Sequence, residues 1–196
     1  SESCLWKAVD LLENQPEEST TQSSATALFT SLSVPLALFH KKWSKTLATQ
    51  CLDLALIFSS HPQEVVGTVL NGFLVTRFLN LKKDEPISQG KEILHEAIEI
   101  CTQAERDYQD RINVFEDDLI AKSKNAFSQT LEGLISQLEK PEKEALQWIV
   151  DNASVYTKRE IRHASQGFVL TLIPLALYWM LNQKNNFLLE TILKQG

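Results

Sequence analysis

The last thirty residues, Gly167–Gly196, read GFVLTLIPLALYWMLNQKNNFLLETILKQG, and their apolar part decides how the chain folds. The apolar run from Phe168 to Leu181 is interrupted only by Thr171 and Pro174. It is about fourteen residues long, whereas a helix that crosses a bilayer needs about twenty. The run therefore predicts a helix buried on all sides in a protein core rather than a membrane span. Pro174 fits such a helix in its first turn, or at a kink held by neighbouring helices.

The rest of the chain predicts further helices. Only 6 of the 196 residues are glycine and 6 are proline, and no stretch shows the sustained alternation of a strand. The length predicts a single domain, residues 1–196. The expected helices, given by residue numbers, are 2–14, 25–59 with a break near Pro35, 62–82, two or more within 88–138, 141–163, the apolar run, and 186–195.

Charge and cysteine usage narrow the class of protein. The net charge is −6, which argues against a general nucleic-acid surface, because such surfaces need clustered lysine and arginine. Cys4, Cys51 and Cys101 are an odd, scattered set. They predict reduced thiols in a cytoplasmic protein rather than a disulfide framework or a zinc site.

Two Glu-x-x-His motifs raise the hypothesis of a metal centre. They span Glu92–His95 and Glu160–His163, and each follows another glutamate, Glu64 or Glu132, by twenty-eight residues. Two such pairs in a helical bundle are typical of di-iron carboxylate proteins. The spacing argues against a di-iron centre, because an antiparallel partner helix would bring a residue near 106, rather than Glu92, opposite Glu64. The offset is about fourteen residues, or roughly 20 Å along a helix.

The helical wheel gives a second objection to the di-iron hypothesis. One face of the predicted helix, opposite an apolar face, carries Glu92, His95, Glu96 and Glu99. The apolar face comprises Ile93, Leu94, Ala97, Ile98, Ile100 and Cys101. Ligands of a metal in a bundle core must point inward, so both motifs are predicted to be solvated surface. The sequence also holds no glycine-rich phosphate loop and no nucleophile elbow.

The C-terminal stretch resembles the last part of the ADP-ribosylglycohydrolase family, which includes the dinitrogenase reductase-activating glycohydrolases. In that family a serine or glycine and an aromatic residue precede an apolar helix, as Gly167 and Phe168 do here. A short helix follows, which Asn186–Glu190 resembles, and then a Gly-Gly-Asp-Thr-Asp-Thr motif. Lys194–Gly196 lies where that motif would begin.

A second match to the family lies upstream. Ser33–Phe39 resembles the family's proline-containing helix, Ser60–Pro62 resembles its Thr-His element, and Glu64–Leu79 resembles the apolar helix that follows. The resemblance implies an all-α fold, an orthogonal multi-helix bundle. It implies that the family's substrate cleft lies near His61, Gly167 and Phe168, although each of these also has a packing explanation. The intervening residues match only as helices.

The departures from the family bear on function. The family holds two magnesium ions with an N-terminal Thr-Asp-Asp-Thr and a C-terminal Asp-Thr-Asp-Thr motif, and neither occurs here. In the register set by Pro35, the family's Gly-Asn-Gly loop becomes Thr26–Leu28, and its arginine becomes Leu32. No catalytic residue, metal ligand or cofactor is therefore carried over to this chain.

The sequence leaves several hypotheses open. The first is an ADP-ribosylglycohydrolase-like domain that does not hydrolyse ADP-ribosyl bonds alone, either as a fragment of a larger enzyme or as a pseudoenzyme. Its partner would be an ADP-ribose-like ligand or a protein. The second is a helical module that binds a partner helix through exposed apolar surface. The third is the di-iron bundle.

Overall fold

The computed structural model describes residues 27, 29–80, 90–112, 123–157, 160–163 and 167–181. Of these residues 82% are helical and none forms a strand, which confirms the all-α prediction. A 3-10 turn, Phe29–Leu32, leads into the first of seven described α-helices, and another, Ser123–Asn125, leads into the fifth. In chain order the helices are α1 Ser33–His40, α2 Lys45–Phe58, α3 Pro62–Leu79, α4 Gly90–Arg111, α5 Ala126–Gln137, α6 Glu142–Ser154 and α7 Val169–Leu181.

Helix α3 is the centre of the fold. Its sequence is apolar around most of its circumference, and 13 of its 18 residues are buried. It contacts α1, α2, α4 and α7 directly, and it also contacts both 3-10 turns. Pro62 occupies its first turn, where a missing N–H leaves no hydrogen bond unmade. Helices α1, α2, α4 and α7 therefore take their positions from the surface of α3, whereas α6 packs on α5 and α7.

Two glycines of α3 allow its neighbours to approach closely. A Cβ atom at Gly67 would lie 2.8 Å from Val169 Cγ2 and 3.2 Å from Thr30 Cγ2. One at Gly72 would lie 2.9 Å from Cys51 Sγ. These separations are too short for a side chain, so both glycines serve close helix packing.

The first predicted helical region breaks at a different point from the one expected. Pro35 lies in the first turn of α1, where proline is tolerated, and the helix continues to His40. The break follows at Lys41, whose left-handed φ of 61° ends α1. Ser44 then caps α2 by accepting a hydrogen bond from the Leu47 N–H, so the prediction of a break near Pro35 was wrong.

The apolar run forms α7, in which 8 of 13 residues are buried. Pro174 lies beyond the first turn, inside the helix, and is itself buried. The expectation of burial on all sides is modified at Trp179, whose side chain is 56% exposed. None of the described helices has both the length and the apolar character needed to cross a membrane.

Three further predicted helices either end earlier than expected or lie outside the described residues. The helix expected over 141–163 ends at Ser154, and the described residues from 155 to 163 are not helical. The helices expected over 2–14 and 186–195 lie outside the described residues.

Candidate functional site

His61 is the residue that precedes α3 and caps its N-terminus. Its Nδ1 accepts a hydrogen bond from the Gln63 N–H at 3.3 Å, and its own N–H donates to Ser59 Oγ at 3.0 Å. Burial lowers the pKa of His61 to about 4, because an imidazolium would lose its water there. The imidazole is therefore neutral at pH 7, and the contacts made by its Nδ1 and N–H serve the helix start.

Gly167 and Phe168 turn the chain into α7. Gly167 has a φ of +84°, a left-handed conformation that glycine adopts without strain. Its carbonyl accepts a hydrogen bond from the Ala27 N–H at 3.1 Å. Phe168 is buried, and its carbonyl accepts from the N–H and the hydroxyl of Thr171 at 3.0 and 2.8 Å. Both residues thus have roles in the local backbone.

The structure brings one of the three predicted site residues into contact with the upstream segment. Gly167 meets Ala27 through the backbone, and Val169 and Thr30 both lie against Gly67 of α3. His61 lies six residues before Gly67, about 9 Å along α3. Among the described residues, no hydrogen bond joins His61 to Gly167 or Phe168.

A buried carboxylate, Glu105 on α4, is a polar feature that the sequence interpretation missed. Its Oε1 accepts hydrogen bonds from the N–H groups of Phe127 and Ser128 at 3.0 and 3.1 Å, and its Oε2 accepts from Ser128 Oγ at 2.6 Å. Only 2% of Glu105 is exposed. A side chain from a distant helix thereby satisfies two N–H groups at the start of α5, where Asn125 makes no side-chain cap.

The electrostatic environment of Glu105 follows from its burial. Desolvation raises the pKa of its carboxyl group, and the hydrogen bonds from Ser128 and Phe127 oppose that rise without cancelling it. Burial also raises the pKa of Tyr156 and of the Cys101 thiol, and the charge of Glu105 adds to both effects.

The buried thiols of Cys51 and Cys101 are free, and burial raises the pKa of Cys51 to about 11, so neither is an activated nucleophile.

Further polar groups lie around the N-terminal end of α3. The Gln63 side chain donates from Nε2 to Ser123 Oγ at 2.9 Å and to the Tyr156 carbonyl at 3.4 Å. Its Oε1 is buried without a hydrogen-bond partner. The Tyr108 hydroxyl donates to the Ser60 carbonyl, and burial raises its pKa to about 12. These contacts tie α3, α4 and the chain before α5 together.

The Glu-x-x-His motifs lie at the surface, as the helical wheel predicts for the first of them. Glu92, His95, Glu160 and His163 are all exposed, whereas Ile93 and Leu94 are buried. Within the described ranges, no group of three or more histidine, cysteine or acidic side chains could hold a metal ion. The positions that match the family's loop and arginine are Ala27 and Leu32, which supply no side-chain ligand for magnesium or phosphate.

The sequence carried one signal for Glu105. The buried face of α4 is marked by Leu94, Ala97, Cys101, Ala104 and Tyr108, and Glu105 lies between the last two. A carboxylate on an apolar stripe needs hydrogen-bond donors from another element. Only the fold identifies those donors as N–H groups of α5.

Comparison with known proteins assigns no family: no protein-family model matches the chain, and no curated protein or solved structure is significantly similar to it. The resemblance to ADP-ribosylglycohydrolases therefore stays a prediction drawn from the sequence.

Proposed function

We propose that the chain is an ADP-ribosylglycohydrolase-like domain that keeps part of a ligand cleft and does not hydrolyse ADP-ribosyl bonds alone. In this proposal Gly167 and Phe168 border the cleft, and His61 belongs to its α3 side. An ADP-ribose-like ligand binds without magnesium. The missing metal motifs are the reason that binding does not lead to hydrolysis.

The contact between the two family-like segments supports the proposal most strongly. Ala27 falls in the register of the family's Gly-Asn-Gly loop, and Gly167 begins the family-like C-terminal stretch. They are 140 positions apart in sequence, yet the Ala27 N–H donates to the Gly167 carbonyl at 3.1 Å. Two segments that resemble the same family in sequence are thus neighbours in space.

The side chains at this junction support the absence of hydrolysis. Alanine at position 27 and leucine at position 32 provide neither an amide nor a guanidinium group for a phosphate or a ribose. Leu32 is only half-buried, so its replacement of a charged residue removes a cation from an accessible place. Binding would then depend on backbone N–H groups and apolar contacts, and it would be weak.

The test is calorimetric titration of the chain with ADP-ribose, with and without magnesium, together with a hydrolysis assay on an ADP-ribosylated protein. We expect weak binding that magnesium leaves unchanged, and no hydrolysis. Ala27→Glu adds a negative charge to the junction and should weaken binding of the pyrophosphate. Ala176→Glu, at an exposed position of α7, is the matched control and should not.

Each contrary result identifies a different error. Magnesium-dependent binding or hydrolysis would mean that the chain assembles a metal centre and is an enzyme. No binding at millimolar ADP-ribose would show that the chain has no cleft for this ligand. Equal weakening by Ala27→Glu and Ala176→Glu would place the ligand away from the junction.

A second candidate function, a helical interaction module, is favoured by exposed apolar side chains on α1 and α2. Phe39 is 81% exposed and Ile57 is 72% exposed, and Leu38 and Phe58 beside them are also exposed. Exposed apolar side chains are typical of protein interaction sites where they form a continuous patch. We expect the native chain to bind the dye ANS, and Phe39→Ser with Ile57→Ser to remove that binding. ANS fluorescence unchanged by the double variant would count against this function.

A further inference from the structure

A groove between α2 and α4 is separate from the junction of Ala27 and Gly167. Both helices pack along α3, but they contact one another only slightly. The space between them has a volume of about 400 Å³. Val69 of α3 forms part of its floor, and Trp43 lines it just before α2 begins. Pockets that hold small ligands are typically about 300–1,000 Å³, so the groove is suited to a small molecule rather than to a folded domain.

The sequence explains why the groove is open. Helix α2 lines it with residues 45, 48, 49 and 52, and helix α4 lines it with residues 100, 103, 104 and 107. Each set has the spacing of a single helix face. Ala48 and Ala104 are the small residues of the two faces, and neither fills the space between the helix axes. The base of the groove is apolar, with Leu52 and Val69 buried.

The relative direction of the two helices follows from their contacts with α3. The Lys41 carbonyl, shortly before α2, accepts a hydrogen bond from Asn80 at the end of α3, and the end of α2 is joined to the start of α3 by residues 59–61, so α2 runs opposite to α3. Glu96 pairs with Arg77 near the end of α3 at 3.1 Å, and Tyr108, later on α4, donates to the Ser60 carbonyl just before α3, so α4 also runs opposite to α3. Helices α2 and α4 therefore run parallel to each other. Their N-terminal ends lie at the same end of the groove.

Opposite charges consequently lie at opposite ends of the groove. Lys45 is the first residue of α2, beside Trp43. Asp107 is seven residues beyond Ile100 on α4, which is about 10 Å along the helix. The N-terminus of α2 favours an anion and the C-terminal part of α4 favours a cation, so the helix dipoles reinforce the two side chains.

The groove is also held in shape by fixed contacts. The Trp43 ring meets Phe73 edge to face, with centroids 5.5 Å apart. Gln103 Nε2 donates to Asp107 Oδ1 at 2.8 Å, which orients the carboxylate. Beyond the Asp107 end, Arg111 and Asp53 form an ion pair that joins α4 to α2. The aromatic wall and the carboxylate are thus placed before any ligand arrives.

We propose that this groove binds a linear zwitterion with an apolar body, of the size of an apolar dipeptide. Its carboxylate pairs with Lys45 at the Trp43 end, and its ammonium group pairs with Asp107. The apolar body lies over Val69 and between Ala48 and Ala104. An aromatic side chain in the ligand would contact Trp43.

The test uses L-leucyl-L-phenylalanine as the probe, with its N-acetylated and C-amidated forms. Binding is measured by calorimetry and by the NMR shift of the Trp43 indole N–H, assigned with Trp43→Phe. We expect the dipeptide to bind and each capped form to bind roughly three- to tenfold more weakly, since each loses one charge pair. Lys45→Met should weaken binding of the dipeptide by the same factor, and it should not further weaken binding of the C-amidated form.

Matched controls separate a local effect from a general loss of charge or fold. Lys42→Met and Asp110→Asn change the same residue types outside the groove and should leave binding unchanged. Ala48→Leu should fill the groove and abolish binding while thermal unfolding shows a folded chain. No binding of the dipeptide at millimolar concentration would overturn the proposal. Binding that Lys45→Met and Asp107→Asn leave unchanged would also overturn it.

Discussion

Glu105 and the two Glu-x-x-His motifs contain the same kind of acidic side chain in opposite surroundings. Glu92, His95, Glu160 and His163 are conspicuous in the sequence but lie in solvent. Glu105 belongs to no motif, yet it is buried and accepts hydrogen bonds from two backbone N–H groups and a hydroxyl. Spacing along a helix identifies a motif, whereas the face on which a residue lies decides whether it can act.

The largest expected effect is on the buried member of this comparison. Glu105→Ala would leave the N–H groups of Phe127 and Ser128 without their acceptor and would open a cavity. We expect the free energy of unfolding, measured by urea denaturation, to fall by about 3 kcal/mol. Glu92→Ala on the exposed face of the same helix is the control and should change it by less than about 0.5 kcal/mol. Similar losses in the two variants would contradict the structural role of Glu105.

The second prediction compares the half-buried His61 with the exposed His95 as the pH falls. The folded-state pKa of His61 is about 4, below its ordinary value of 6.5, so the unfolded chain binds the proton more tightly. Stability from this residue is full above pH 6.5 and is lost as the pH falls toward 4. After allowance for partial exposure, the loss is about 2 kcal/mol.

The variants for this prediction are His61→Asn and His95→Asn. Asparagine keeps a capping acceptor for the Gln63 N–H but does not titrate, so His61→Asn should flatten the stability profile between pH 6.5 and 4. His95→Asn, on the solvated face of α4, should not alter the profile. The measurement is the denaturant midpoint at each pH across this range. Equal profiles for His61→Asn and wild type would show that His61 does not cause the loss of stability.

The carboxyl group of Glu105 is expected to give a smaller pH dependence of the unfolding free energy, with the opposite sign to that of His61. Its folded-state pKa is raised, so the folded chain holds this proton more tightly than the unfolded chain does. Its contribution to stability is therefore greatest below the ordinary carboxyl pKa of 4.5, and it declines as the pH rises through the folded-state pKa.

Glu105→Gln isolates this contribution because it removes the titration but keeps one oxygen acceptor. We expect wild type to lose stability relative to Glu105→Gln as the pH rises from 4 to 8. Glu144→Gln, at an exposed position of α6, serves as the control. A wild-type chain that gains stability over Glu105→Gln across this range would mean that the hydrogen bonds outweigh desolvation.

The smallest expected effect concerns the exposed motifs themselves. Glu92→Gln combined with His95→Asn should change the unfolding free energy by less than about 0.5 kcal/mol, because both side chains are solvated. Iron content after reconstitution, measured by elemental analysis, should be the same for this variant and for wild type. A stoichiometric iron signal that disappears in the variant would restore the di-iron hypothesis.

Helix content and the buried faces were predictable because periodicity reports them directly. The apolar face of α4 was predicted to include Ile93, Leu94, Ala97 and Cys101, and all four are buried. Burial of most of α7 also followed from its composition. The two glycines inside the apolar α3, Gly67 and Gly72, allow close packing, as the short approaches at both positions show.

The features that were missed depend on contacts between distant parts of the chain. The break at Lys41 rests on one left-handed residue, and lysine gives no sequence signal for that conformation. The role of Glu105 depends on the start of α5, more than twenty residues away. The groove between α2 and α4 depends on how both helices pack on α3, which no local pattern contains.

The resemblance to ADP-ribosylglycohydrolases and the site residues His61, Gly167 and Phe168 stay predictions. Titration with ADP-ribose, with and without magnesium, tests the proposed function most directly. We expect weak binding of ADP-ribose with the same affinity in both buffers. Ala27→Glu should lower that affinity, and Ala176→Glu should not. Binding that tightens with magnesium, or no binding at all, would contradict it.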